Sequence, residues 1–142
     1  MIKQISVFMK NEPGRLTKVT KLIADAQLDI RALTVAETAD FGILRLIVSD
    51  PDKAYKVLKE NQIAVVEHDV LGVEVEDKPG GLAKIIEMLA KDAINIEYVY
   101  AFVAKSREKA YVVLRLGDLE AGKKVLEKNN IRLLTTDDLG KI

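Results

Sequence analysis

Apolar and polar positions along the chain fall into a short cycle of strand-like and helix-like stretches. Ile5 to Met9 is rich in apolar residues and reads as a strand. Leu16, Val19, Leu22, Ile23 and Ala26 then recur at helical spacing and form one apolar stripe. Pro13 is expected in the first turn of that helix, where its missing N–H has no partner to lose. Ile30 to Glu37 reads as a second strand, ended by Thr38-Ala39-Asp40, and Ile43 to Val48 as a third. Ser49-Asp50-Pro51 stops that strand and starts a helix with Asp50 as its N-cap. Ala54, Val57 and Leu58 mark the buried side of this helix, Asn61 closes it, and Ile63 to Val66 is the last strand. The order strand, helix, strand, strand, helix, strand predicts an antiparallel four-stranded sheet with two helices on one face. This is a ferredoxin-like α+β unit.

The cycle is run twice. Pro13-Gly14-Arg15-Leu16 returns as Pro79-Gly80-Gly81-Leu82, a shift of 66 (13 to 79) that also aligns Leu28-Asp29-Ile30 with Ile94-Asn95-Ile96. Leu44-Arg45-Leu46 matches Leu114-Arg115-Leu116 at a shift of 70 (44 to 114), and Lys56-Val57-Leu58 matches Lys124-Val125-Leu126 at 68 (56 to 124). A drifting shift implies small insertions and deletions in loops, where they cost little. Two tandem units, residues 1–69 and 70–142, are therefore expected. No Pro/Ser-rich linker separates them, so the last strand of the first should run nearly straight into the second around Asp69.

The third strand carries one unusual feature. Ile43 and Ile47 flank Arg45 on one side, while Leu44, Leu46 and Val48 occupy the other. Arg115, between Tyr111, Val113 and their neighbours, looks like a repeat of it. A sheet with one wet face alternates cleanly, so both faces are expected to be covered, by another sheet or another chain. Two copies pairing within the chain, and two chains in a homodimer, fit that expectation.

Composition narrows the functions. The chain has 142 residues, 49% hydrophobic, with 22 basic and 22 acidic side chains and a net charge of +0. A neutral chain has no field for gathering phosphates, which disfavours nucleic acid as a partner. The absence of Cys removes disulfides, thiol catalysis and Cys-ligated metal. No segment approaches the roughly 20 apolar residues that span a bilayer, and the start of the chain lacks the apolar stretch of a signal peptide. A cytoplasmic location with no membrane partner is the default expectation.

Candidate chemistry lies in the loop Asn11-Glu12-Pro13-Gly14-Arg15-Leu16 and its repeat Asp77-Lys78-Pro79-Gly80-Gly81-Leu82. A helix N-terminus offers unpaired N–H groups to an anion such as a carboxylate. Glycines let a ligand approach that backbone, and the Asn11 amide oxygen or Asp77 carboxylate can accept a bond from an ammonium group. An α-amino acid carries both charges on one carbon. The same turn also serves as a plain helix start with no ligand.

The Asn/Asp-x-Pro-Gly-x-Leu turn and the later steps Asp29-Ile30 and Asn95-Ile96 resemble the signature of the ACT domain family. The likeness is doubled and covers nearly the whole chain. It implies ferredoxin-like domains that pair side by side through their sheets. It also implies an amino-acid effector held between the first loop of one domain and the start of the second strand of its neighbour. By position this implicates Asn11, Pro13, Gly14, Arg15 and Leu16 with Asp29 and Ile30, and Asp77, Pro79, Gly80, Gly81 and Leu82 with Asn95 and Ile96. Function is then expected to be regulatory: a small-molecule-binding protein sensing an amino acid or related carboxylic acid, with no enzymatic activity and no cofactor. The first copy also resembles the regulatory subunits of acetolactate synthase, through Asn11-Glu12-Pro13-Gly14 and Leu33-Thr34-Val35. That makes an accessory subunit of a regulated enzyme the alternative.

Other residues carry less. His68 is the lone histidine, near the junction, and a His without an orienting partner is seldom a base. Tyr98, Tyr100 and Phe102 alternate and so share one sheet face, where their counterparts Ala32, Thr34 and Ala36 are small. Without a basic surplus they read as packing or pocket wall rather than as a base-stacking platform. No dinucleotide fingerprint or P-loop is present.

Overall fold

The computed structural model describes residues 1–103 and 108–142. They form two compact units, one of Lys3–Asp69 and one of Val70–Ile142 with Met1–Ile2. The elements in chain order are β1 (Ile2–Lys10), α1 (Arg15–Asp25), β2 (Ile30–Glu37), β3 (Phe41–Val48), α2 (Pro51–Glu60), β4 (Ala64–Glu76), α3 (Gly81–Lys91), β5 (Ile96–Ala101), β6 (Lys109–Leu116) and α4 (Leu119–Lys128). A short 3-10 helix, Thr136–Gly140, follows α4. This is the α+β, ferredoxin-like order expected from the hydrophobic pattern, run twice.

In the first unit the strands lie in the order β2-β3-β1-β4, with antiparallel pairing of β1 and β2 to the central β3. Ile5 and Val7 of β1, Leu44, Leu46 and Val48 of β3, Val19 and Ile23 of α1, and Ala54 and Leu58 of α2 make its core. Strand alternation puts every second residue on the helix side, so the two stripes read from the sequence close on each other. In the second unit the order is β4-β6-β5, both pairings antiparallel. Leu71, Val73, Val112, Leu114, Ile85, Leu89 and Leu126 fill the equivalent core. Part of the sheet faces away from the helices is buried as well: Ala32, Ile47 and Val113 are fully buried, as are the polar Gln4 and Ser6, whereas Phe8 and Phe41 are exposed. Gln4 Nε2 donates to Ser6 Oγ at 3.1 Å, so burial does not strand the amide.

Helix ends follow one device. Each of the four helices exits through a non-glycine residue with positive φ: Gln27 (60°), Gln62 (61°), Ala93 (55°) and Asn130 (59°). The N–H of that residue and of the next reach back to the last turn, as in Gln27 N to Ala24 O (2.9 Å) and Leu28 N to Ile23 O (3.2 Å). These are Schellman exits. The next residue is Leu28, Ile63, Ile94 or Ile131, and each packs onto its core. Starts are of two kinds. Asp50 and Asp118 cap α2 and α4 by accepting from Lys53 N and Ala121 N, both at 3.0 Å, whereas α1 and α3 begin at Gly14 and Gly80 in the left-handed region with no side-chain cap. Pro13 accordingly precedes the helix instead of occupying its first turn.

Two further expectations are corrected. Register aligns Val7 with Leu44 in the first unit and Val73 with Val112 in the second. Leu46 therefore corresponds to Leu114, and Arg45 to Val113, not to Arg115. Only one two-residue insertion separates the copies, between β5 and β6. The last strand of the second copy shrinks to a single bridge between Val73 and Leu133. Finally, Leu134 packs beside Gly72 and Ile2, and the chain then turns into the 3-10 helix, which had no signal in the apolar pattern.

Candidate functional site

Each Pro-Gly loop joins the end of the unit's first strand to its first helix. In the first unit Asn11 N donates to Asp40 O at 3.0 Å, and Asn11 Nδ2 reaches Glu37 Oε2 at 3.2 Å and Thr38 O at 3.4 Å. The side-chain amide donors are thus spent on the end of β2, which orients the amide oxygen toward the role of acceptor. Arg15 Nε pairs with Glu12 Oε1 at 2.7 Å, and both side chains are well exposed, so the pair is weakly held. Gly14 has φ +87°, and a side chain there would meet open space. No side chain caps α1, and the first N–H of the helix, Arg15 N, turns back to Glu12 O at 3.5 Å.

A small cavity of about 130 Å³ lies here, lined in part by Asn11, Arg15, Leu16, Val35 and Glu37. It is smaller than an ordinary ligand site. Glu37 belongs to it, yet nothing in the sequence singled it out, because its link to Asn11 crosses 26 positions. Asp29 and Ile30 are not part of this group. Asp29 precedes and Ile30 opens β2, whose eight residues run antiparallel to β3 and put them about 25 Å from Glu37 at the usual rise per residue. Asp29 N instead donates to Ser49 Oγ at 3.1 Å, and Ser49 N to Asp29 O at 3.0 Å. Within one unit, then, the two halves of the expected pocket sit at opposite ends of the sheet.

The second unit repeats the loop with different chemistry. Asp77 N donates to Glu108 O at 3.3 Å and Gly80 has φ +86°. Gly81 has a packing reason to be glycine: a Cβ there would collide with the Glu76 carbonyl. Arg15 at the equivalent place shows that the first unit leaves more room. Lys78 Nζ and Glu76 Oε2 pair at 2.7 Å, which holds the Glu76 carboxyl below its ordinary range and raises the lysine. Beside the loop lies a cavity of about 340 Å³, bordered by Pro79, Gly80, Gly81 and Lys84 and by the ion pairs of Glu74 with Arg132 (2.8 Å) and Lys109 (3.5 Å). Asn95 and Ile96 again start the far end of an edge strand, with Gly117 N bonded to Asn95 O at 2.9 Å. Leu16 and Leu82 stay about two-fifths exposed at the helix starts. Among the described residues no cluster of His, Asp and Glu could hold a metal ion, and no helix is long and apolar enough to cross a membrane.

Comparison with known proteins places this geometry. The chain is similar to protein BT0572 from Bacteroides thetaiotaomicron, at 45% identity over 99% of this chain and 96% of that one, with a TM-score of 0.93. It shares its fold with the regulatory subunit of aspartate kinase from Thermus thermophilus, at 18% identity over 89% and 90% of the two chains and a TM-score of 0.64. No curated protein matches it. The model of the ACT domain pair matches residues 1–142, the whole length over which the two loops, the two cores and the doubled element order recur, and the chain belongs to that family.

Proposed function

We propose that the chain is a small-molecule-binding regulatory protein, without catalytic activity of its own, that senses an amino acid or related carboxylic acid at its Pro-Gly loops. The observation that carries this reading is the pair of glycine-led, side-chain-free helix starts, each next to an Asn11 or Asp77 able to take an ammonium group. A carboxylate at the N–H groups and an ammonium at the acceptor satisfy both ends of one ligand.

The small volume at Asn11 and the distance to Asp29 fit a site completed by a neighbouring domain. In the first unit β2 is an edge strand, and Leu33, Val35 and Leu16 beside it are each about two-fifths exposed. An apolar edge of this kind is an aggregation hazard unless paired. A homodimer joined along it would bring one copy's Asp29-Ile30 step toward another copy's loop.

A thermal-shift screen of the twenty amino acids and related aromatic acids tests the reading, since a ligand of the native state raises the melting temperature. Asn11→Ala and Asp77→Ala then assign the response to a loop. Absence of any shift would reduce both loops to plain helix starts. Light scattering that gives a 15.8 kDa particle at every concentration, with and without ligand, would refute the dimer. The accessory-subunit alternative draws support from the shared fold with an aspartate kinase regulatory subunit, of which this chain covers 90%. Copurification of a biosynthetic enzyme with the tagged protein would favour it.

A further inference from the structure

A second cavity in the first unit, of about 320 Å³, shares Met9, Lys10 and Arg15 with the Asn11 cavity and extends from them to Phe8, Lys18 and Ile63. Its wall combines Phe8, Phe41, Met9 and Ile63 with three cations, Lys10, Arg15 and Lys18, and includes no Asp or Glu. Phe8 and Phe41 are 45% and 60% exposed, although apolar side chains of that size gain most from burial. Register sets Phe8 opposite Ile43 and Lys10 opposite Phe41, so the two rings are diagonal neighbours on one face. Among the described residues Lys10 and Lys18 have no ion-pair partner.

The second unit has a cavity of similar size, about 340 Å³, at the equivalent place, with a different wall. Equivalent positions hold Glu74 for Phe8, Lys109 for Phe41 and Arg132 for Ala64, and these three are joined by the 2.8 and 3.5 Å ion pairs. There the protein answers its own charges. In the first unit the same spot presents two exposed rings and, with Arg15 held by Glu12, the unanswered charges of Lys10 and Lys18.

From this contrast we infer that the Phe8–Phe41 cavity is a binding site for a carboxylate with an apolar body and no ammonium group, such as a 2-oxo acid or an arylalkanoic acid. The rings and Ile63 take the body, and Lys10, Arg15 and Lys18 take the carboxylate. With Lys10 and Lys18 unpaired among the described residues and no carboxylate in its wall, the site repels the ammonium of an α-amino acid. It is thereby distinct in ligand class from the Asn11 loop, and neither Phe8 nor Phe41 lines the Asn11 cavity.

The experiment is titration of the full chain, followed by calorimetry and amide NMR, with 3-phenylpropionate and 4-methyl-2-oxopentanoate. L-phenylalanine and L-leucine serve as partners that differ by the ammonium. Expected are saturable shifts at Phe41, Ile63 and Ala64 with the first two probes and none there with the amino acids. Phe8→Glu and, independently, Phe41→Ser should weaken the acids about tenfold or more while leaving the melting temperature and any amino-acid response at Asn11 in place. The inference is overturned if neither acid shifts those amides at about 10 mM. It is equally overturned if a folded Phe8→Glu or Phe41→Ser protein binds them as the parent does, or if L-phenylalanine binds there as well as 3-phenylpropionate. An amino-acid response at Asn11 that persists in those cases would leave the regulatory reading standing.

Discussion

The two units are one design carried out with different polar chemistry. Their cores are matched position by position: Val7 and Val73, Val19 and Ile85, Ile23 and Leu89, Leu58 and Leu126. Their rims are not. Around the end of the first strand one unit has Phe8, Phe41 and Ala64, and the other has Glu74, Lys109 and Arg132. One unit ends in a long regular strand, the other in a single bridge and a capped 3-10 turn tied by Arg132 to Asp138 at 3.0 Å. The difference teaches where the fold resides. Apolar volume at strand and helix periods suffices to specify it, and the surface at the loop end is free to diverge in its polar chemistry.

The largest test of this contrast is at the helix starts. Gly81→Ala should destabilise the protein by about 2 kcal/mol, because its Cβ meets the Glu76 carbonyl and backbone must move. Arg15→Ala, at the matching place, should leave the denaturation midpoint unchanged. Equal effects in urea melts would mean that the two starts pack alike. Next is Glu74→Gln, which removes the charge shared by Arg132 and Lys109 in a side chain only 18% exposed. A loss of about 1 kcal/mol is expected, and 1 M salt should erase most of it.

Smaller, and dependent on pH, is the contribution of Asp138. Thr135 N and Oγ1 donate to its carboxylate at 2.8 and 3.1 Å, and with Arg132 they hold it below the ordinary carboxylate range. A lowered native pKa gives stability that is complete above the unfolded value, about 4, and lost as pH falls through the native one. Asp138→Asn should therefore flatten the acid limb of a stability–pH curve, and an unchanged limb would remove Asp138 from the account. The smallest effect is expected at Lys3. It pairs with Asp52 at 2.9 Å and Glu67 at 3.3 Å, which raises its pKa, but it is exposed, so Lys3→Ala should not move the melting temperature measurably.

Features governed by local chemistry were legible in the sequence. The span Ile30–Glu37, the Asp50 cap and the end at Asn61 all follow from turn residues and caps within a few positions. The Arg45–Arg115 equivalence failed because a two-residue slip keeps every side chain on the same face, so alternation alone cannot detect it. Glu37 beside Asn11, and Gly81 against Glu76, depend on contacts across strands or on backbone approach. Neither leaves a periodic trace. The reduction of the last strand to the Leu133 bridge depends on how Leu134 meets Gly72, which is also a matter of tertiary fit.

The helix exits at Gln27, Gln62, Ala93 and Asn130 leave room for engineering. All four keep the left-handed turn, and none uses the residue that enters it without steric cost. The geometry is thus inherited across the duplication while the residue at the bend has drifted, enforced by the Leu or Ile that docks just beyond it. Glycine at such a bend is worth about 1 kcal/mol. Gln27 and Ala93 lie outside the described cavities, whereas Gln62 and Asn130 line them. Glycine at 27 and 93 together offers a sturdier scaffold on which the side chains at the two loop ends can be rewritten without first repairing the fold.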